Sequence, residues 1–150
     1  LGSLLLLGRD GLRSLLGHLV TMSETLAEHL DGHASTHVLN EENFGPVTLF
    51  RVYPPGVDTF SVPQQEHSNP EFRDTLLAHN NYNRRIFDEI QAEALQGRGV
   101  VISLTECYRE TDYGEPIVAL KSYIMSPFSD EKYVDAVLDS IERARKIVTV

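Results

Sequence analysis

The sequence predicts an α+β fold, in which an antiparallel sheet of three or four strands carries helices on one face and follows a long connecting helix. Apolar residues recur at three- and four-residue steps in three long stretches, which is the period of amphipathic helices. These helical stretches are residues 10–31, 71–96 and 129–146. Three other stretches are rich in β-forming residues, namely 47–53, 100–105 and 117–124. Elements in this order are typical of a sheet that packs against helices on one side.

The first helical region covers residues 1–31. Its apolar start is interrupted at residues 8–11, where Asp10 is suited to cap the long helix that follows. The apolar stripe of that helix consists of Leu12, Leu15, Leu16, Leu19, Met22, Leu26 and Leu30. We expect Gly32 to end the helix. Leu1 and the leucines of 4–7 add apolar surface ahead of the stripe, so we expect part of this region to pack against something outside the chain.

The middle of the chain is predicted to contain two strands, a loop and a helix. Residues 37–39 form a possible edge strand, and 47–53 alternate as a half-buried strand does. Pro54, Pro55 and Gly56 end that strand, and we expect a loop from there to Asn69. Asn69 followed by Pro70 predicts the start of the next helix, because Asn caps helices and Pro is favoured at their first position.

The last third is predicted to form a strand pair and a closing helix. Turn-forming residues at 111–116 separate the segments 100–105 and 117–124, which favours an antiparallel hairpin. Ser129 is suited to cap the last helix, with acidic residues in its first turn. Its buried stripe is predicted to be Tyr133, Val134, Val137, Leu138, Ile141 and Ala144.

Composition narrows the classes of function. Thirteen Lys and Arg face 22 Asp and Glu, a formal net charge of −9, which argues against a nucleic-acid partner because such proteins cluster basic residues. The apolar run at 4–7 is far shorter than the roughly 20 residues that span a membrane, so no membrane association is expected. Cys107 is the only cysteine, which rules out an internal disulfide and fits a cytoplasmic location.

No group of residues in the sequence forms a reactive constellation by itself. His29, His33 and His37 step by four, as metal ligands on one helix face do, but the predicted helix ends at Gly32 inside the series. Surface or loop histidines are therefore the better interpretation, and no metal site is predicted. Cys107 has no catalytic context and is interpreted as a packed or idle thiol.

Four stretches, in order, resemble the end of the PLP-dependent decarboxylases that include the aromatic amino-acid, glutamate and diaminobutyrate decarboxylases. They are residues 7–12, 46–54, 83–90 and 119–128. The last is the most specific: the letters ALKSYIMSPF resemble the family's closing strand and the Asn/Ser-Pro turn before its final helix. Together the four cover nearly the whole chain.

The resemblance implies a fold of the aspartate-aminotransferase type. Residues 1–31 would be the connecting helices from a large domain, and 32–150 the small C-terminal domain. In that family the large domain supplies the lysine that binds pyridoxal 5'-phosphate, the acid that pairs with its ring nitrogen and most of the phosphate cradle, all of which would precede Leu1. The chain alone is therefore expected to be inactive and to hold no catalytic or cofactor-binding residue. The complete enzyme would be a cytoplasmic homodimer that decarboxylates an amino acid.

One site residue follows from the resemblance. Many members carry an Arg at the position of Lys121, where it approaches the substrate carboxylate. Lys keeps the positive charge but loses the bidentate fork, so it would hold a carboxylate less rigidly. The alternative interpretation is a structural lysine whose stem lies along the strand while its ammonium reaches water.

Two other functions stay open from the sequence. The chain could be the equivalent domain of another enzyme of that fold, such as an aminotransferase or a lyase, although the closing strand and the Ser-Pro turn favour a decarboxylase. It could also be a free-standing α+β binding module. The opening without Met, in the middle of an apolar pattern, argues against that module.

Overall fold

The computed structural model describes residues 2–42 and 45–148, with the backbone alone at 2–6. Four helices and four strands follow one another along this part of the chain. In chain order they are α1 (Gly2–Asp31), β1 (Thr36–Val38), β2 (Val47–Val52), α2 (Val62–Ser68), a 3₁₀ turn (Pro70–Phe72), α3 (Arg73–Leu95), β3 (Ser103–Thr105), β4 (Ala119–Tyr123) and α4 (Glu131–Ile147).

The strands form one antiparallel sheet in the order β1-β2-β4-β3. This confirms the predicted fold class, the predicted edge strand and the antiparallel pairing of β3 with β4. Strand β4 begins two residues later than predicted because the backbone of Val118 hydrogen-bonds to side chains instead of to a neighbouring strand. The Val118 N–H donates to the side chain of Asn80, and its carbonyl accepts from Arg51.

The main core lies between the sheet and the long helices. Phe50 and Val52 of β2 and Leu120 of β4 are fully buried and belong to one apolar cluster with the stripes of α1, α3 and α4. The helical members of that cluster are Leu19, Met22, Leu26, Leu30, Tyr82, Ile86, Ile90, Val134, Val137, Ile141 and Ala144. The amphipathic patterns therefore predicted most of the buried faces, but Leu16 of the predicted α1 stripe is exposed, and Tyr133 and Leu138 of the predicted α4 stripe are only partly buried. A smaller apolar cluster, which includes Leu49 and Ala119, lies on the opposite face of the sheet.

Helix α1 breaks at Gly8, inside the predicted interruption at residues 8–11. Gly8 has φ 64° and ψ −174°, a backbone conformation that glycine adopts without strain. Asp10 lies beyond the kink within the helix and has an exposed ion pair with Arg13 at 4.0 Å, so the prediction that Asp10 caps the helix is wrong. The helix ends at Asp31, before Gly32, as predicted. The side chains of Leu4 to Leu6 are outside the part of the chain that the structure describes.

The segment predicted as a loop before Asn69 contains helix α2. After Val62 and Pro63 its residues are polar and carry no apolar stripe, so periodicity gave no signal for it. The helix is held instead by its buried Glu66. Asn69 caps the 3₁₀ turn that follows, accepting from Glu71 N–H at 3.0 Å, and α3 begins at Arg73.

The cap of α4 is Asp130, so the prediction of Ser129 is wrong by one residue. The Asp130 carboxylate accepts the N–H of Lys132 at 3.1 Å. Ser129 instead donates its backbone N–H to Ser126 in the turn before the helix. Both residue types cap helices well, so their identities alone do not show which of the two adjacent residues is the cap.

Candidate functional site

Strand β4 places Lys121 on the face of the sheet opposite the long helices. Leu120 is buried in the main core, and the Ser122 hydroxyl lies 3.1 Å from the Tyr133 hydroxyl of α4, so both face the helices. Because side chains alternate along a strand, Lys121 projects the other way, with Ala119 and Tyr123 on either side. Its neighbours across the sheet are Leu49 of β2 and Ser103 of β3.

A groove of about 650 Å³ opens beside Lys121. Its wall is mainly apolar, and several of its side chains are large and exposed: Val101, Tyr123 and Met125. Lys121 itself is half-buried and has no salt bridge with any residue that the structure describes. The groove therefore offers one positive charge in an apolar wall, which is suited to a carboxylate on an otherwise apolar molecule.

The residues of this chain do not fit PLP by themselves. A PLP site requires a lysine for the Schiff base together with a charged partner for the ring nitrogen. Lys132 and Lys146 are exposed on α4, and the groove beside Lys121 includes no carboxylate, histidine or arginine among its described residues. No step through the cofactor can be assigned to these side chains.

A buried polar network lies on the same face of the sheet, at the end of β2. Arg51 donates to the Asn80 side chain at 2.7 Å and to the Val118 carbonyl at 2.9 Å. Glu66 of α2 accepts from Tyr53 at 3.1 Å and lies 2.5 Å from His79. These five side chains are almost inaccessible to water, which is unusual for charged groups and depends on their mutual pairing.

The network raises the pKa of the Tyr53 hydroxyl far above its ordinary value. Burial is the main cause, and the Glu66 carboxylate raises the pKa further, while Arg51 lowers it. Tyr53 therefore stays protonated and donates to Glu66 throughout the physiological range. Its ring also packs edge-on against His79, with ring centres 5.2 Å apart.

Sequence reasoning did not find this network. Arg51 was noticed only as part of a stretch that resembles a family strand, and Glu66 lies in the segment predicted as a loop. Asn80 lies in a polar interruption of the helical pattern at residues 79–81, and Asn83 only begins a stretch that resembles a family helix. The signal that could have revealed them is the spacing of His79, Asn80 and Asn83, which places three polar side chains on one face of α3.

The histidines at four-residue spacing do not meet. His29 is exposed on α1, His33 contacts Ser35 at 2.9 Å in the turn after it, and His37 lies on β1. Within the described ranges, no three His, Cys, Asp or Glu side chains are arranged to hold a metal ion. Cys107 is exposed and unpaired by any disulfide. No helix in the described part of the chain has the length and apolar character that crossing a membrane requires.

The solved structures that this fold resembles include PLP-dependent decarboxylases. Mouse CSAD in its apo form superposes with a TM-score of 0.72 at 12% identity, over 97% of this chain and 26% of that one. The glutamate decarboxylase domain of a diaminobutyrate-pyruvate transaminase and L-2,4-diaminobutyrate decarboxylase from Vibrio parahaemolyticus gives 0.66 at 16% identity, over 97% and 25%. Tryptophan decarboxylase from Catharanthus roseus, in complex with L-tryptophan, gives 0.65 at 17% identity, over 97% and 25%.

The comparison confirms the predicted resemblance at the level of the fold. The chain has the fold of the small α+β C-terminal domain of these decarboxylases, and it spans about a quarter of their length. No protein-family model and no curated protein matches the chain by sequence.

Proposed function

We propose that this chain is the C-terminal small domain of a PLP-dependent decarboxylase that releases CO2 from an L-amino acid. The observation that carries the proposal is the coverage: 97% of the chain superposes on a quarter of several decarboxylases. Residues 1–31 would connect a large domain to the small domain of 32–150. The absence of a PLP-compatible set of side chains among the described residues fits this division, since the cofactor would be held by the large domain.

Lys121 is the residue that we assign to the substrate. Its charge lies in an apolar groove whose described lining includes no acidic side chain. The ammonium would donate to the substrate carboxylate, which fixes that end of the molecule. The single point of contact would orient the carboxylate less strictly than the two-pronged contact of an arginine.

Exposed apolar surface supports a larger assembly. Leu7 is 46% exposed and Leu16 is 57% exposed on α1, and Met125 is 68% exposed at the groove. In the proposed enzyme the large domain, or the second subunit of a homodimer, would cover these side chains. A cytoplasmic location is proposed with the enzyme.

A cofactor and turnover assay tests the proposal. The isolated chain is mixed with PLP and with candidate amino acids, and the longer gene product that contains the chain is treated in the same way. We expect a lysine-dependent absorbance band and CO2 release from the longer protein alone. A stoichiometric band or turnover from the isolated chain would contradict the proposal. Transamination without CO2 release by the longer protein would favour an aminotransferase instead.

A further inference from the structure

The groove beside Lys121 is a gap between two neighbouring segments of the sheet. Strands β3 and β4 pair as far as Ser103 and Lys121, and a continuation of that register would place Val101 opposite Tyr123. That pair is not formed, although the structure describes both residues, and β3 begins only at Ser103. The groove is lined by both segments where they separate. Lys121, in the last paired position, therefore lies at the closed end of the groove.

The floor of the groove is the edge of the main apolar core. Lys121 lines the groove from the open face of the sheet and Ala136 of α4 lines it from the other, so the gap passes through the sheet. Val100 and Ile124, which also line it, are buried members of the main apolar cluster, and Ala136 packs against that cluster. An apolar group in the groove would extend the core, and its burial is favourable.

The charge of Lys121 has no second charge beside it in the groove. The other polar side chains in the described lining are hydroxyl groups, and two of them are engaged within the chain. The Ser103 hydroxyl donates to the Lys121 carbonyl at 3.4 Å, and the Ser126 hydroxyl accepts the Phe128 N–H at 3.2 Å. An occupant with a second anionic group, or with a cationic group, would lose water there without gaining a partner of opposite charge, which is unfavourable.

The size of the groove favours a large occupant. Its volume of about 650 Å³ is typical of sites that enclose small molecules, so a hydrogen or a methyl side chain would leave most of it unfilled. Val101 and Tyr123, on opposite sides of the gap, are 79% and 49% exposed. Both side chains would be covered by a large apolar group that lies between them.

We infer that the substrate of the complete enzyme is an L-amino acid with a large apolar side chain, aliphatic or aromatic, and that the groove holds this side chain. The inference rests on the proposed decarboxylase function and on the assignment of the α-carboxylate to Lys121. With the carboxylate at the closed end, the side chain lies along the apolar walls and floor. Amino acids with acidic or basic side chains are rejected because the groove would strip water from their second charge.

Steady-state decarboxylation by the longer protein that contains this chain tests the substrate class. L-norleucine and L-lysine are a matched pair, because they share the unbranched carbon chain and L-lysine adds a terminal ammonium. We expect kcat/KM for L-norleucine and L-phenylalanine to exceed that for L-lysine and L-glutamate by about 100-fold, which is about 2.8 kcal/mol.

The outcomes of this assay separate the inference from the proposed function. A ratio of kcat/KM below about tenfold between the apolar and the charged amino acids would overturn the inference and leave the decarboxylase proposal intact. CO2 release from amino acids outside the apolar class alone would do the same. CO2 release from no amino acid would contradict the proposed function, and the inference with it.

Two variants of the longer protein test whether the groove itself holds the side chain. Ala136→Leu fills part of the floor, so kcat/KM for L-phenylalanine should fall about tenfold more than that for the narrower L-norleucine. The control is Ala78→Leu on the exposed side of α3, which should leave that ratio unchanged.

The second variant changes the charge of the groove rather than its volume. Val101→Lys adds a second cation to the wall, so kcat/KM for L-glutamate should rise about tenfold relative to that for L-norleucine. Val101 is exposed, so this substitution keeps the test decisive if Ala136→Leu fails to fold. An unchanged substrate ratio in either variant that folds would overturn the inference.

Discussion

Replacing Asn83 by Ala should destabilise the fold more than its size suggests. Asn83 lies on α3 and is completely buried. Its side chain pairs with the backbone of Val52 on the side of β2 that faces β4. In an antiparallel ladder the N–H and C=O of one residue point to the same side. Those of Val52 point towards β4, but the registered pairing with β4 ends at Phe50 and Leu120. The Asn83 side chain therefore takes the place of the next residue of β4.

The magnitude follows from the three hydrogen bonds of that side chain. Its Oδ1 accepts from Val52 N–H at 2.8 Å, and its Nδ2 donates to the carbonyls of Val52 and His79 at 2.9 and 2.8 Å. Asn83→Ala leaves both polar groups of Val52 buried without a partner, at a cost of about 1–3 kcal/mol each. We expect the free energy of unfolding to fall by about 3 kcal/mol, and the midpoint of thermal unfolding by roughly 6–12 °C.

Urea denaturation followed by far-UV circular dichroism measures this loss. The matched control is Asn81→Ala, which removes the same side chain from the exposed side of the same helix and should change stability by less than about 0.5 kcal/mol. Equal effects of the two substitutions would show that the Asn83 side chain does not replace a strand in the ladder. A loss below about 1 kcal/mol for Asn83→Ala would lead to the same conclusion.

Two further predictions concern Tyr53 and the cap of α4. Because burial raises the pKa of Tyr53, the unfolded chain loses this proton at a lower pH than the folded chain does. The free energy of unfolding therefore keeps the contribution of Tyr53 below a pH of about 10 and loses it as the pH rises further. Tyr53→Phe should flatten that decrease, measured by urea denaturation between about pH 8 and 11. Parallel curves for the two proteins would contradict this. Asp130→Ala should cost about 1 kcal/mol of stability, while Ser129→Ala should cost less than half of that, and the reverse order in the same assay would restore Ser129 as the cap.

The sequence predicted the parts of the fold that depend on periodic burial. The stripes of α1, α3 and α4 were found because their apolar residues recur with the helical period, and the strands because they are rich in β-forming residues. The predicted strand 100–105 was too long, since β3 covers only Ser103–Thr105. Helix α2 was missed because its seven residues are mostly polar and carry no such period. The start of β4 was misplaced because Asn80 and Arg51, which are distant in the chain, hydrogen-bond to the backbone of Val118, and no local pattern records those contacts.

The sequence likewise predicted one part of the candidate site and missed another. Alternation along β4 is enough to place Lys121 on the face opposite Leu120 and Ser122, because that inference needs only one strand. The network around Arg51 joins β2, α2, α3 and the start of β4, and its residues are as many as 67 positions apart in the chain. Such a convergence depends on the tertiary fold, so each of its members looked ordinary in the sequence.

Substitution of Lys121 in the longer protein that contains this chain tests the central claim most directly. A charge-assisted contact with the substrate carboxylate contributes roughly 1.5–3 kcal/mol, so Lys121→Met should lower kcat/KM for decarboxylation by roughly 10- to 100-fold. Lys121→Arg should keep or improve it, and Lys132→Met on the exposed side of α4 should have no effect. Unchanged kcat/KM in Lys121→Met would contradict the account and leave the groove without a role in substrate binding.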